Sequence, residues 1–406
     1  MNREYNKTVY ACFIGYVVQA IVNNFAPLLF LTFQGSFGIP LTKITFLITF
    51  NFGLQLLVDL VSVGFVDKIG YRVSMVIAHG CAALGFILLT VLPGITPDPF
   101  VGLLIAVMVY AVGGGLLEVL VSPVMESCPT DNKEKAMSLL HSFYCWGHVG
   151  VVLLSTLFFR IFGIGNWRIL AWIWAVVPII NLILFTRVPI APLVTEEDKG
   201  IPLKELLTMR LFWVLMVMMV CAGASEQSVS QWASAFAEKA LGVSKTAGDL
   251  AGPMAFAVLM GLARAFYGKY GDKIDLDKFM AWSSMLCIAA YLCIVFVPSP
   301  VFGLIGCAVT GMSVGIMWPG TFSKAAATLK GGGTALFALL ALAGDLGCGG
   351  GPTVVGMVSG LFDDNLKMGI LAATVFPLLL LAGIAASRAA HIVIRVAEYG
   401  SSVRHR

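Results

Sequence analysis

Four acidic residues stand inside long apolar stretches of this chain, where an ionised side chain is costly. They are Asp59, Glu118, Glu226 and Asp345. A charged side chain at the centre of a bilayer costs about 2.5–3.5 kcal/mol on insertion scales, so such residues face a cavity or a partner. No lysine or arginine lies clearly in the middle of these stretches. An interior of carboxyl groups without a cation favours protonated acids, and chemistry that moves a proton or another cation.

Glu118 is the most informative of these acids, because its neighbours in sequence open the helix around it. Gly113, Gly114 and Gly115 precede it and allow a second helix or a ligand to approach the backbone closely. Pro123 interrupts the regular helix about one turn later. We predict that Glu118 binds a substrate and carries a coupling charge. The alternative is a structural hydrogen bond to a neighbouring helix.

Three side chains of the next apolar stretch share one helix face. They are His141, Tyr144 and His148. With Glu118 they could line one cavity, in which acceptors suit sugar hydroxyls and flat aromatic faces suit the C–H side of a sugar ring. We predict that all three bind substrate, although His148 could equally be a packed helix-face residue.

Residues 223–232 form a segment that is too polar for a lipid-facing helix. Its small residues, amides and indole suggest the lining of a cavity, and the alternative is the outer, wetter end of the helix. We predict that Glu226, Gln231 and Trp232 bind substrate there. Glu226 and Asp345 are also candidates for proton coupling, and Asp345 is expected at the interface between the halves of the chain.

These residues are set in twelve apolar runs, most of them long enough to cross a bilayer, which takes about 20 residues. Hydrophobic residues make up 59% of the chain and charged residues 12%, with a mean hydropathy of +0.91. A water-soluble chain could not hide this apolar surface, and continuous runs exclude a barrel of alternating strands. The predicted fold class is an all-α polytopic membrane protein with two pseudo-symmetric six-helix bundles. The predicted spans are 9–34, 42–66, 73–93, 100–124, 135–159, 167–187, 210–236, 247–270, 278–297, 301–326, 334–360 and 367–389.

Lysine and arginine predict the orientation of these spans in the membrane. Nineteen of the 26 basic residues fall on the side that holds both termini, and six fall on the other side. This bias predicts a multi-pass protein of the inner (plasma) membrane with both termini in the cytoplasm. It also accounts for the net charge of +4, so no nucleic-acid partner is expected.

The longest polar stretch between spans lies near the middle of the chain and indicates a linker between two halves. The predicted domains are an N-terminal bundle at 1–188, a cytoplasmic linker at 189–208, and a C-terminal bundle with a short tail at 209–406. Equivalent loops of the two halves each contain an Asp-Lys pair, and the two pairs are 205 residues apart.

These loops are expected to gate access between two such halves, and the alternative is that they only cap and orient a tight turn. The predicted gating residues are Asp59, Asp67, Lys68, Gly70, Arg72, Arg264, Gly268, Asp272 and Lys273.

No nucleotide-binding loop, metal-ligand spacing or nucleophile elbow occurs in the sequence. We therefore predict no enzyme activity, no cofactor and no metal site. Nine scattered cysteines without a CxxC pair indicate packing rather than disulfides. The expected partners are a small-molecule substrate, a proton or other coupling cation, and the lipid bilayer, and a monomer suffices for this fold.

The motif Asp-Lys-x-Gly-x-Arg at 67–72 resembles the signature loop of the major facilitator superfamily. The second copy keeps the preceding glycine as Gly268, but it has Asp275 in place of the later glycine. Arg264, four residues before Gly268, resembles part of the superfamily's eighth helix. With twelve spans and a central linker the resemblance covers the whole chain, and it implies a transporter that works by alternating access.

A narrower resemblance points to the fucose–galactose–glucose proton symporter family. It is carried by Glu118 with Ser122-Pro123, by Ser142-Phe143 and Gly147, by Asn23-Asn24, by Met317-Trp318-Pro319, and by Gly349-Gly350-Gly351-Pro352 with Gly356. In that family the glutamate is a substrate and proton residue. The resemblance therefore implies a proton-coupled sugar symporter in which Asn23, Asn24 and Trp318 also bind substrate.

This chain departs from that family at two places. An aspartate that takes part in proton coupling follows the paired asparagines in the family, and here the stretch reads Phe25-Ala26-Pro27. The family's amide residues after the fourth span are His141 and Tyr144 here. Two other functions therefore stay open: an exporter of drugs or metabolites from the same superfamily, and a membrane receptor or scaffold that transports nothing.

Overall fold

The computed structural model of this chain describes residues 5–129, 133–190, 201, 203–329 and 333–388. Inside its helices, the side chains of 63–65, 67, 133–138, 203, 272 and 333–335 are outside the description.

All regular secondary structure in the described residues is helical, and twelve helices are long and apolar enough to cross a membrane. The predicted fold class, two six-helix bundles, is thereby confirmed. We number the helices as spans 1 to 12: Asn6–Phe37, Leu41–Ser62, Tyr71–Ile95, Pro99–Ser127, Leu139–Phe162, Ile164–Arg187, Arg210–Ala240, Lys245–Tyr270, Leu276–Phe296, Pro300–Thr328, Leu336–Leu361 and Leu366–Arg388.

Successive spans alternate in direction, so the first and the last described residues lie at the same end of the bundle. We call this end the termini side and the other end the opposite side. The hydroxyl of Thr8, near the start of span 1, donates to the backbone oxygen of Pro189, just after span 6, at 2.5 Å. Of the predicted linker, residues 191–200 and 202 lie outside the described residues, so the domain boundaries stay a prediction.

Spans 1 and 7 are both interrupted in their second half, as the pseudo-symmetry of two bundles requires. Pro27 lacks the backbone N–H that a continuous helix uses, and span 1 passes through a 3₁₀ turn there. The Gln231 side-chain amide, at the break in span 7, donates to the backbone oxygen of Asn23 at 3.1 Å. The segments are Asn6–Asn24, Ala26–Leu29 and Phe30–Phe37 in span 1, and Arg210–Ser230 and Ala233–Lys239 in span 7.

Glycine allows the helices that carry the interior acids to pack backbone against backbone. A Cβ added at Gly113 of span 4 would lie 2.6 Å from the backbone oxygen of Ala78, and one at Gly115 would lie 2.9 Å from the backbone oxygen of Gln55. The predicted close approach of a second helix at this glycine run is therefore confirmed. A Cβ at Gly347 would lie 2.0 Å from the backbone oxygen of Val220, so spans 7 and 11 are equally close.

Span 4, which carries Glu118, begins at an aspartate cap on the opposite side. The Asp98 carboxylate accepts from the Phe100 backbone N–H at 2.9 Å and from Lys43 at 3.3 Å. The Phe100 hydrogen bond, helped by Lys43, lowers the pKa of Asp98 below its usual value. Because the pKa is depressed on folding, this cap stabilises the protein above the unfolded pKa and is lost as the pH falls through the folded pKa.

Candidate functional site between the two halves

Three of the four interior acids meet where the halves face each other. The carboxyl group of Asp345, on span 11, lies within hydrogen-bonding reach of Asp59 on span 2 and of Glu118 on span 4. We call Asp59, Glu118 and Asp345 the carboxyl cluster. A hydrogen bond between two carboxyl groups requires a proton on one of them, because two carboxylates offer only acceptors. A hydrogen bond between the two halves at this cluster therefore forms only when one of the three acids is protonated.

Asp59 lies in the carboxyl cluster, although its position in the sequence suggested a place near the gate loop. It is 7% exposed, and its Oδ1 atom is buried without a hydrogen-bond partner among the described residues. The sequence placed Asp59 at the gate because Asp67 follows about two turns later. The side chain of Asp67 is outside the described residues, so a gating role for either acid stays a prediction.

A chain of amide side chains leads from Glu118 along spans 1 and 2. Gln19 Nε2 lies 3.2 Å from Glu118 Oε2 and 3.2 Å from Gln55 Oε1. Gln55 Nε2 donates to Asn23 Oδ1 at 2.9 Å, and Asn51 approaches the same oxygen at 3.5 Å. Both Oε1 of Gln19 and Oδ1 of Asn51 are buried acceptors without a partner in the described part of the chain.

Gln19 and Gln55 were not among the predicted site residues, although their helical spacing indicates them. Gln19 lies four residues before Asn23, and Gln55 lies four residues before Asp59. Residues four apart share a helix face. An amide on the same face as a predicted site residue is therefore a candidate for the same cavity.

Tyrosine hydroxyls from spans 1 and 5 extend this polar surface. Asn24 Nδ2 donates to the backbone oxygen of Ala20 at 2.9 Å and approaches the Tyr144 hydroxyl at 3.5 Å. Tyr16 shares a hydrogen bond with Ser122 at 2.9 Å, and the His141 ring meets the Tyr16 ring edge-on at 5.3 Å between centroids. Three of the predicted binding residues, Asn24, His141 and Tyr144, therefore surround the Glu118 side of the interface.

The fourth acid, Glu226, forms an ion pair that the sequence analysis did not predict. Arg264 Nη2 on span 8 lies 3.0 Å from Glu226 Oε2 on span 7. The guanidinium also donates to the Gly315 backbone oxygen and to Cys145 Sγ, each at 3.3 Å. The inference of an interior without a cation is therefore wrong. Arg264 was placed near a helix end, and span 8 does end six residues later at Tyr270, but the Arg264 side chain reaches Glu226 on span 7 and Cys145 on span 5 and so lies between helices.

The other predicted residues of span 7 lie beside this pair and toward the opposite side. Gln231 Nε2 donates to Gln227 Oε1 at 3.0 Å, and Gln227 approaches Glu226 Oε1 at 3.3 Å. Trp232 is fully buried, its indole N–H donates to the backbone oxygen of Pro352 at 3.0 Å, and its ring packs on Phe30. In this conformation Trp232 packs helices together on the opposite side.

Two further predicted binding residues lie against neighbouring helices. Trp318 packs its ring on the backbone of span 11, where a Cβ added at Gly344, next to Asp345, would lie 2.2 Å from the indole. His148 is 3% exposed on span 5. The Gly147 before it allows span 5 to approach Ala20 of span 1.

The predicted gate loops are only partly within the described residues. Arg72 Nη1 donates to the backbone oxygen of Phe185 at 2.8 Å, which ties spans 3 and 6 within one half. Gly70 has a φ of +86°, a conformation that side chains rarely adopt. Lys68, Gly268 and Lys273 are exposed, and the side chain of Asp272 lies outside the described residues.

Hydrogen bonds between the halves run from the middle of the interface to the opposite side. Near that side, the hydroxyls of Thr49 on span 2 and Thr353 on span 11 are 2.5 Å apart, and Thr156 on span 5 approaches the buried Asp249 on span 8 at 3.4 Å. The described structure is therefore joined on the opposite side.

A model of the Major Facilitator Superfamily matches residues 11–352 of this chain. The chain belongs to the major facilitator superfamily. The expectation from the loop motif is thereby confirmed, and the protein is a membrane transporter of this superfamily. Comparison with curated proteins gave no match. Within the described residues of this superfamily member, no three His, Cys, Asp or Glu side chains are arranged to hold a metal ion.

Solved structures of other superfamily members share this fold. A bacterial homologue of the human lysosomal transporter Spinster, in an inward-facing and occupied conformation, has a TM-score of 0.74 at 15% identity, covering 96% of this chain and 97% of its own. The E. coli fucose:proton symporter FucP, as a single-residue variant, has a TM-score of 0.64 at 16% identity, covering 95% and 99%. FucP in the outward conformation has a TM-score of 0.62 at 16% identity, with the same coverage.

Proposed function

We propose that this transporter is a proton-coupled sugar symporter that works by alternating access, with Glu118 binding a substrate hydroxyl and carrying the coupling charge. The observation that carries the proposal is the carboxyl cluster. Asp345 comes from one half, and Asp59 and Glu118 come from the other, so rocking of the halves makes and breaks a hydrogen bond that requires a proton. Movement of the protein and movement of a proton are thereby linked.

The energetic basis of this coupling is the cost of charge inside a membrane. An unpaired carboxylate at bilayer depth costs several kcal/mol, whereas a protonated one is tolerated. When the halves are in contact at the carboxyl cluster, Asp345 shares a proton with Glu118 or Asp59 in a hydrogen bond. When they separate, each acid faces its own cavity and can exchange that proton with water. Glu226 and Asp345 are the further acids that we assign to this coupling.

A sugar fits the surface beside Glu118 because that surface alternates donors and acceptors. Glu118 and the unpaired amide oxygens of Gln19 and Asn51 accept hydrogen bonds from hydroxyl groups. Tyrosine and histidine rings offer flat faces to the C–H side of a sugar ring. The binding residues that we propose are Asn23, Asn24, Glu118, His141, Tyr144, His148, Glu226, Gln231, Trp232 and Trp318, and we add Gln19 and Gln55 because of their contacts with Glu118 and Asn23.

We infer that the described conformation is open toward the termini side, because the contacts between halves are concentrated on the opposite side. We further infer that the termini side is cytoplasmic, that the membrane is the plasma membrane, and that the protein works as a monomer. Lys68, Gly70, Arg72 and the second loop, 268–273, would then close the cytoplasmic side in the alternate state.

A disulfide between spans 2 and 11 tests alternating access directly. The Thr49 and Thr353 hydroxyl oxygens are 2.5 Å apart, and a disulfide bond of about 2.05 Å can replace that contact. We expect oxidised Thr49→Cys/Thr353→Cys protein to lose transport and a reducing agent to restore it. Thr49→Cys alone and Thr353→Cys alone serve as controls for cross-links to the native cysteines. Unchanged transport by fully cross-linked protein would contradict a moving interface.

Uptake into proteoliposomes tests the proposed function itself. Purified protein is reconstituted, a panel of radiolabelled sugars is offered, and a pH gradient that is acidic outside is imposed. We expect one sugar class to accumulate above its equilibrium level, and a protonophore to abolish that accumulation. Sugar-independent efflux of lipophilic compounds would favour an exporter instead. Ligand binding without any flux would favour a receptor.

A further inference from the structure

Arg264 offers more hydrogen-bond donors than the protein uses. A guanidinium carries five N–H groups. Nε donates to the Gly315 backbone oxygen, Nη1 donates to Cys145 Sγ, and Nη2 donates to Glu226 Oε2. Each terminal nitrogen therefore keeps one N–H without a partner among the described residues. The side chain of Arg264 is 23% exposed, whereas its partner Glu226 is 9% exposed, so the guanidinium is the more accessible member of the pair.

We propose that Arg264 binds a carboxylate of the substrate, and hence that the transported sugar is an acidic one, such as a uronate. This inference rests on the proposed function and names its substrate class. Two parallel N–H groups of a guanidinium match the two oxygens of a carboxylate, which makes a strong and directional contact. Glu226 supplies the same chemical group from within the protein and stands in for the substrate.

The position of the pair supports one continuous site with the Glu118 surface. Cys145, which touches Arg264, follows Tyr144 on span 5, and the Tyr144 hydroxyl approaches Asn24 of span 1. An acidic sugar therefore finds hydroxyl partners on the side of Glu118 and Asn24 and a cation on the side of Arg264. Because span 5 and span 8 belong to different halves, the bound carboxylate lies against the moving interface.

The exchange of one carboxylate for another also takes up a proton. A substrate carboxylate that binds Arg264 places a second acid beside a single cation. The other titratable side chains near the pair are Tyr144, Cys145 and Cys348 by Glu226, and His141 by Arg264. A buried acid without a cation takes a proton rather than remaining ionised. One proton then enters with each anionic substrate, and the net charge of the site is conserved.

The test compares the binding of D-glucuronate and D-glucose to the purified protein, by thermal stabilisation and by isothermal titration calorimetry. The two sugars differ only at carbon 6, which is a carboxylate in glucuronate and a hydroxymethyl group in glucose. A charge-assisted pair contributes enough for an affinity about tenfold or more in favour of glucuronate. If one proton is taken up, glucuronate affinity rises by about tenfold for each unit that the pH falls. Arg264→Gln should remove the preference, and Lys239→Gln, in an exposed pair on span 7, should leave it intact.

Glu226→Gln separates a binding role from a structural one. It leaves the guanidinium free, so glucuronate should bind without pH dependence and should raise the melting temperature more than in the wild type. Tighter or equal binding of glucose in wild-type protein would overturn the inference while leaving a sugar symporter intact. Binding of glucuronate without proton-driven uptake would support the role of Arg264 and contradict the proposed function. Absence of glucuronate binding would overturn the inference, whereas the proposed function is decided by uptake across the whole sugar panel.

Discussion

Replacement of Glu118 by Gln should abolish accumulation of substrate against its gradient. Gln keeps the size and one acceptor of Glu118 but can neither gain nor lose the proton that the carboxyl cluster shares. We therefore expect proton-driven uptake to fall to the level of equilibration, with no accumulation above the external concentration. Exchange of internal for external substrate should persist, because that reaction needs no net proton movement. In the same proteoliposomes, counterflow measures the exchange reaction and pH-driven uptake measures the proton-coupled reaction.

The control for this substitution lies on the same helix. Glu126 is exposed, two turns beyond Glu118 in span 4, and Glu126→Gln removes an acid without touching the cluster. It should transport as the wild type does. Asp345→Asn should behave like Glu118→Gln, because it removes the acid that both others contact. If Glu118→Gln accumulates substrate normally under a pH gradient, Glu118 does not carry the coupling charge.

Replacement of Arg264 by Gln should cause the largest loss of stability among single substitutions at the site. It leaves Glu226, which is 9% exposed, without its cation. Removing one partner of a buried ion pair costs about 3–5 kcal/mol, because Glu226 must then either stay charged without a cation or be neutralised by taking up a proton. The free energy of unfolding, measured by titration with a denaturing detergent in mixed micelles, should fall by this amount.

The double substitution Arg264→Gln/Glu226→Gln distinguishes an unpaired charge from a general packing defect. It removes both charges, so much of the stability lost in the single variant should return, and a double-mutant cycle should show strong coupling. Lys239→Gln breaks an exposed pair with Asp364 and should change stability by no more than about 1 kcal/mol. Equal losses in the single and double variants would mean that the pair is not an electrostatic unit.

Local sequence was sufficient to predict the scaffold. Span length and the close helix approach at Gly113–Gly115 both follow from what a few neighbouring residues permit in a bilayer. The repeated Asp-Lys loops and the twelve runs led to the superfamily that the family model confirms. Glu118 stood out for the same reason, because a lone acid in an apolar span is a strong local signal.

The partners of the acids were decided by contacts between distant parts of the chain. Asp345 lies far from Asp59 and Glu118 in sequence and meets them only because span 11 packs on span 2 across the two halves. Gln19 and Gln55 became site residues through the same packing.

The sequence by itself determined that this protein is a twelve-span transporter with acids in its interior, since burial of apolar surface and satisfaction of the backbone are local requirements. Only the tertiary structure decided which acid meets another acid and which meets a cation. Arg264 shows the reason: its charge looked peripheral along the chain, and the depth of a residue in a helical bundle depends on where neighbouring helices lie. Electrostatic partnership acts over a few ångströms in space, and spacing in sequence does not encode those distances.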